Sequence, residues 1–180
     1  MRLGNREIVH QMGGNIEPFT PENVGPSSYD ITLGEGMKVF DRRVGNVYID
    51  GSHPVHYVDL PMNEDGYYKI KPWGTALGTT LEYFTFPNDI EGIVEGRSSI
   101  GRVFLFIHVA AGYIDSGFEG NITLEFFNAT DCNMLIKPGD SVGQILFGKV
   151  DGCTEGYGDR ASSKYQGQIG TTISRLNQGV

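Results

Sequence analysis

Arg97, Ser98, Ser99, Arg102, Asp115 and Glu125, all between residues 95 and 128, are side chains of the types that do chemistry. They fall in the stretch EGRSSIGRVFLFIHVAAGYIDSGFEGNITLEFFN, where polar groups interrupt an otherwise apolar run. The spacing predicts that Arg97–Arg102 opens a short helix, which puts Ser98 and Arg102 on one face. Arg97 and Ser99 would stand at its N-terminal end, where free N–H groups and the dipole favour an anion. Residues 120–128 alternate as a strand does, with Ile122, Leu124 and Phe126 on one face and Thr123, Glu125 and Phe127 on the other. Glu125 is then a carboxylate on a rigid element beside an anion-ready helix start. Asp115 belongs to a Gly-flanked turn, Gly112-Tyr-Ile-Asp-Ser-Gly117. Each residue alone has an ordinary reading, as a solvated strand Glu, a turn Asp or a surface Ser/Arg pair. Their density points to an anion-binding site with carboxylates next to it.

The elements that must hold them are mostly short strands. Asn5–Met12 fits one amphipathic helix, capped by Asn5 and stopped by Gly13-Gly14. Beyond it, Gly and Pro punctuate β-rich runs at 29–33, 37–40, 47–49, 55–58, 67–70, 80–86, 93–94, 104–110, 122–127, 134–137 and 142–150. Such a series predicts an all-β sandwich or barrel. With 180 residues and no linker or repeat, residues 1–180 read as one domain, and residues 152–180 as a loop and tail. The chain is 39% apolar with a net charge of −8, and nothing resembles a basic stripe, which argues against nucleic acid. No secretory core or membrane-length apolar run is visible, and Cys132 and Cys153 make no disulfide framework. A cytoplasmic protein with free thiols is expected.

GRSSIGR and AGYIDSGFEGNITLE together resemble the signatures of the dCTP deaminase branch of the trimeric dUTPase superfamily. MRLGNREI, GPSSYDITLG, KPGDSVGQILF and the tail SKYQGQ followed by Ser174-Arg175 extend the resemblance over most of the chain. Residues 42–73 are the least family-like. The resemblance implies a distorted, jelly-roll-like β-barrel with a short N-terminal helix and a short internal helix. It also implies a homotrimer with sites between subunits, and a tail that closes over a triphosphate.

By the same resemblance, Glu125 accepts and returns the protons that hydrolytic deamination of cytosine requires. Ser98 and the backbone carbonyl of Ala111 hold the attacking water, and Arg102 orients Glu125. Arg97 and Ser99 are assigned to phosphates, with Ile100 and Gly101 completing the helix start. Asp115 is assigned to the deoxyribose 3′-hydroxyl and Tyr113 to the floor beneath it. Thr123 and Leu124 flank Glu125, and Gln144, Tyr157, Lys164 and Gln168 complete the nucleotide-contacting set. The dUTPases carry an apolar residue where this chain has Glu125, which favours a deaminase.

The expected ligand is dCTP, with dUTP and dTTP as related nucleotides, and the expected metal is Mg²⁺ carried by the triphosphate. Zinc is not expected: the H-x-E and P-C-x-x-C pattern of zinc deaminases is missing, and His53-Pro-Val-His56 reads as a surface loop. Gly112-Tyr113 matches the members that form dUMP, in place of the His-Arg of those that release dUTP. Deaminase-only activity, a plain dUTPase and a catalytically silent nucleotide sensor remain as alternatives. Ala110, Phe104 and Trp73 depart from the family pattern, Phe104 at a position that usually holds a small residue.

Overall fold

The structure is a computed structural model that describes residues 1–108 and 110–177. Val109, within the run expected as a strand over 104–110, and tail residues 178–180 lie outside the described residues. The chain forms α1 (Asn5–Met12), β1 (Ile16–Glu17), β2 (Tyr29–Thr32), β3 (Lys38–Phe40), β4 (Tyr57–Asp59), β5 (Tyr68–Ile70) and β6 (Thr75–Thr85). It continues with β7 (Ile90–Gly96), α2 (Ser98–Gly101), β8 (Leu105–Phe106), β9 (Tyr113–Ile114), β10 (Glu119–Asn128), β11 (Met134–Ile136) and β12 (Ser141–Lys149).

One sheet runs β4-β3-β6-β10-β8, with β1 on the far end of β6, and a second runs β2-β12-β7-β9. β11 and β5 pair separately. The all-β expectation holds. β10 follows the alternation read from its sequence: Ile122, Leu124 and Phe126 are buried, while Thr123, Glu125 and Phe127 are half-buried on the other face. Phe84, Leu124, Phe126 and Phe147 are fully buried between the sheets, and each such side chain contributes about 1.5–3 kcal/mol.

The two sheets are also tied by a buried polar contact. The Glu82 carboxylate on β6 accepts from the Thr32 backbone N–H at 3.0 Å and from the Thr32 hydroxyl at 2.6 Å. Burial raises the Glu82 carboxyl above its ordinary value, and the hydrogen bonds from Thr32 oppose that rise.

Three local expectations are corrected. The α1 N-cap is Gly4, not Asn5, and no side chain caps it. The Asn5 side chain accepts instead from the neighbouring Arg6 N–H. The helix does end at Gly13, but with an ordinary right-handed φ of −59°. Residues 47–49 form no strand: Ile49 is 76% exposed, and no neighbouring strand offers them a ladder. The run expected over 104–110 is reduced to Leu105–Phe106, because Phe104 (φ 57°) and His108 (φ 40°) turn the chain at both ends. That left-handed φ explains why a small residue suits position 104.

Candidate active site

β10 carries Glu125 on its outward face, directly opposite Leu77 of β6. The Oε2 of Glu125 accepts the backbone N–H of Ala110 at 3.2 Å. Glu125 and Ala111 line a cavity of about 400 Å³ together with Tyr113, Asp115, Thr123, Tyr157 and Gln168. Seven of the residues singled out from sequence therefore share one space. Two of them are carboxylates, one held by a strand and one by a turn. That pairing suits a proton carrier working beside a second polar group that can orient water or sugar.

Two glycines shape this end of the molecule. A Cβ at Gly112 would lie 2.5 Å from the imidazole of His108, so the ring occupies the space a side chain would need. A Cβ at Gly117, where φ is 77°, would lie 2.7 Å from both Asn88 Oδ1 and Gly156 Cα. The Asp115 turn is thus closed against the loop that leads into Tyr157, whose N–H bonds the Ser116 carbonyl at 2.8 Å. Tyr113 stands at the rim, not the floor: it is 57% exposed, and its phenol donates to Glu91 at 2.8 Å. That bond, with some desolvation, pushes the Tyr113 phenol up to about 12.

The tail runs along the outward face of β10. Gln168 donates to the Asn121 carbonyl at 2.6 Å, and the Gly170 N–H reaches Asn121 Oδ1 at 3.0 Å. The Thr172 N–H then bonds Thr123 Oγ1 at 3.3 Å. Two residues per step on each segment bring Ser174 to the level of Glu125, and Thr172, Ile173 and Ser174 all line the cavity. Lys164 does not line it; its ammonium is 3.4 Å from the Arg175 carbonyl.

The second group of expected residues lies apart from this cavity. Arg97 pairs with Asp30 at 3.1 Å and also donates to the Ser141 carbonyl. Gln144 donates to the Gly96 carbonyl at 3.2 Å, beside the start of α2. Ser98, Ser99, Gly101 and Arg102 are exposed, and Ile100 is half-buried. None of these residues lines the cavity. The Leu124 side chain is fully buried on the core face, which leaves only its backbone for a ligand.

Sequence reasoning missed Tyr57, Tyr165, Thr172 and Ser174 as cavity residues. Tyr165 had a signal, since it stands inside the SKYQGQ stretch. Tyr57 had none, because it comes from the stretch least like the family. Among the described residues there is no group of three or more His, Cys, Asp or Glu able to hold a metal ion. No helix of the described residues is long and apolar enough to cross a membrane.

The family model described as dCTP deaminase-like matches residues 2–150. The dCTP deaminase, dUMP-forming, of Methanococcus aeolicus is 37% identical over 99% of this chain and 98% of its own length. That of Methanosphaera stadtmanae is 41% identical, covering 91% of this chain and 86% of its own. Among solved structures, the 2′-deoxycytidine 5′-triphosphate deaminase from Agrobacterium tumefaciens superposes with a TM-score of 0.62 at 20% identity. That match covers 81% of this chain and spans 46% of the other, and it supports the fold.

Proposed function

The chain belongs to the dCTP deaminase-like family, and on that premise we propose that it converts dCTP to dUMP, releasing ammonia and pyrophosphate. The observation that carries the reading is the shared cavity that Glu125 and Asp115 both line, with Ala111 on the same wall.

Deamination begins with a water held between the Glu125 carboxylate and the Ala111 carbonyl. Glu125 takes one proton as the oxygen adds to C4 of cytosine, and that proton passes to N3. The second proton of the former water follows through Glu125 to the amine. The C4–N bond then breaks, leaving a carbonyl and ammonia. The Ala110 N–H holds one carboxylate oxygen still, so the other can face the water.

In the second step Asp115 polarises a water toward the α-phosphorus. The bond to the β-phosphate oxygen breaks, and pyrophosphate leaves. The His108 imidazole fills the space beside Gly112, so the water for this step is placed on the cavity side of Asp115. Mg²⁺ carried by the triphosphate would supply charge neutralisation for the departing pyrophosphate. No zinc takes part.

Ser98 and Arg102 reach the cavity from a neighbouring subunit of a homotrimer, with Arg97 and Ser99 holding its triphosphate. The exposure of Ser98, Ser99 and Arg102, outside the cavity of their own chain, supports this arrangement. Residues 1–180 act as one unit, whose tail from residue 152 closes over the nucleotide.

Purified protein, treated with a zinc-selective chelator and resupplied with Mg²⁺, tests the reading. Incubation with dCTP should yield equal amounts of dUMP, ammonia and pyrophosphate by chromatography and coupled assay. Accumulation of dUTP without pyrophosphate would leave a deaminase only. Turnover of dUTP but not dCTP would leave a dUTPase.

A further inference from the structure

Tyr57 belongs to the β3–β4 region, the part of the chain least like the family, yet it faces the cavity. The sheet register explains how. Glu125 pairs with Leu77, Leu77 with Lys38, and Phe40, two residues beyond Lys38, with Tyr57. Paired residues share a face, and so do residues two apart. Tyr57, Phe40, Leu77 and Glu125 therefore point to the same side of the sheet. The Tyr57 ring stacks on Phe40 with centroids 4.6 Å apart, which fixes its direction. Tyr57, Leu77 and Glu125 also border an adjoining cavity of about 290 Å³, so the phenol stands on the partition between the two spaces.

The tail arrives at the same point. Its steps along Asn121 and Thr123 bring Ser174 beside Glu125, where Ser174 and Tyr57 line the same cavity and the Ser174 backbone lies close enough to the phenol to oppose its upward shift. Burial, then the neighbouring Tyr165 and Glu125, push that phenol up from its ordinary value. It stays neutral across the working pH range, able to accept a hydrogen bond next to a carboxylate.

We infer that Tyr57 is a positioning residue of this site: its phenol seats the closed tail, through the Ser174 backbone, at the Glu125 end of the cavity. The inference rests on the function proposed above. It assigns to a strand of the divergent region the task of holding the tail over the nucleotide. A phenylalanine at this position keeps the Phe40 stack and removes only the hydroxyl, whereas Ser174→Pro removes the partner N–H from the tail side.

The test uses the full-length protein. Tyr57→Phe should keep the wild-type melting temperature and raise KM for dCTP about 3- to 10-fold, the loss of one hydrogen bond. kcat should change much less. In wild type, dCTP should slow tryptic cleavage at Lys164 and Arg175, and the variant should lose most of that protection. Ser174→Pro should give the same rise in KM, and the double variant no more than either alone. Wild-type KM and wild-type protection in Tyr57→Phe would overturn the inference. So would a loss confined to kcat with protection intact. Should the wild-type protein fail to turn over dCTP, the proposed function falls. Tail protection by dCTP in wild type against Tyr57→Phe then decides this inference by itself, and equal protection in the two, or none in either, overturns it.

Discussion

The backbone N–H of Ala110 donates to the Glu125 carboxylate at 3.2 Å, tying the central strand to the loop that enters Ala111. The bond joins the proposed proton carrier to the residue whose carbonyl is proposed to hold its water. The loop itself is anchored two residues earlier by His108, whose ring lies against Gly112 and whose backbone has a φ of 40°. Carboxylate and carbonyl are thus set by one short segment folded back on itself.

That packing makes Gly112→Ala a sharp probe. The added Cβ would meet the His108 imidazole at 2.5 Å, so either the ring or the loop must move. Displacing Ala111 by about 1 Å from the reacting water should lower kcat/KM for dCTP on the order of 10²-fold. Thermal stability should fall far less, since the segment is at the surface. Unchanged kinetics in the alanine variant would detach the loop from the chemistry.

Subunit mixing tests the divided site. Arg102→Ala and Glu125→Gln should each be inactive alone. If every site joins Arg102 of one subunit to Glu125 of another, randomly mixed trimers should regain about a quarter of wild-type activity. No recovery after co-expression, with mixed trimers confirmed by mass spectrometry, would place both residues in a site of one chain.

The β10 face was legible in the sequence because strict alternation over Ile122–Phe127 admits one assignment once one face is buried. The span of α1 was legible from its apolar spacing, but its cap was not, since Asn is the stronger N-cap type and the helix is nonetheless capped at Gly4 with no side-chain bond. Residues 47–49 are β-branched and aromatic like a strand yet form none, because a strand also needs a partner edge, which the sequence does not display. The failure at 104–110 has a different cause: positive φ at Phe104 and His108 breaks a run whose residue types are strand-like. The site was legible where motif residues are near in sequence. Tyr57 reaches Glu125 only through three strand registers, Phe40↔Tyr57, Lys38↔Leu77 and Glu125↔Leu77. Such long-range pairing leaves no local mark.

Glu82 gives a prediction in pH. Its carboxyl, 2% exposed, is raised above the ordinary 4.5 mainly by burial, against hydrogen bonds from Thr32. The folded state therefore holds the proton more tightly than the unfolded chain. This contribution to stability is complete below about pH 4.5 and is lost as pH rises through the raised value. Glu82→Gln cannot ionise, so its melting temperature relative to wild type should climb across that range. Parallel profiles for the two proteins would contradict this. Glu82→Ala strips the Thr32 N–H of its acceptor and should cost about 1–3 kcal/mol at every pH.

The most direct test of the account is the turnover of dCTP by Glu125→Gln. The amide keeps the shape of the carboxylate and can still accept the Ala110 N–H, but it cannot carry a proton from water to N3 and the amine. Ammonia release from dCTP should fall by ~10²–10⁴-fold or more, while dCTP binding, read by isothermal titration calorimetry, stays close to wild type. Deamination at a near-normal rate with binding intact would show that Glu125 is not the proton carrier.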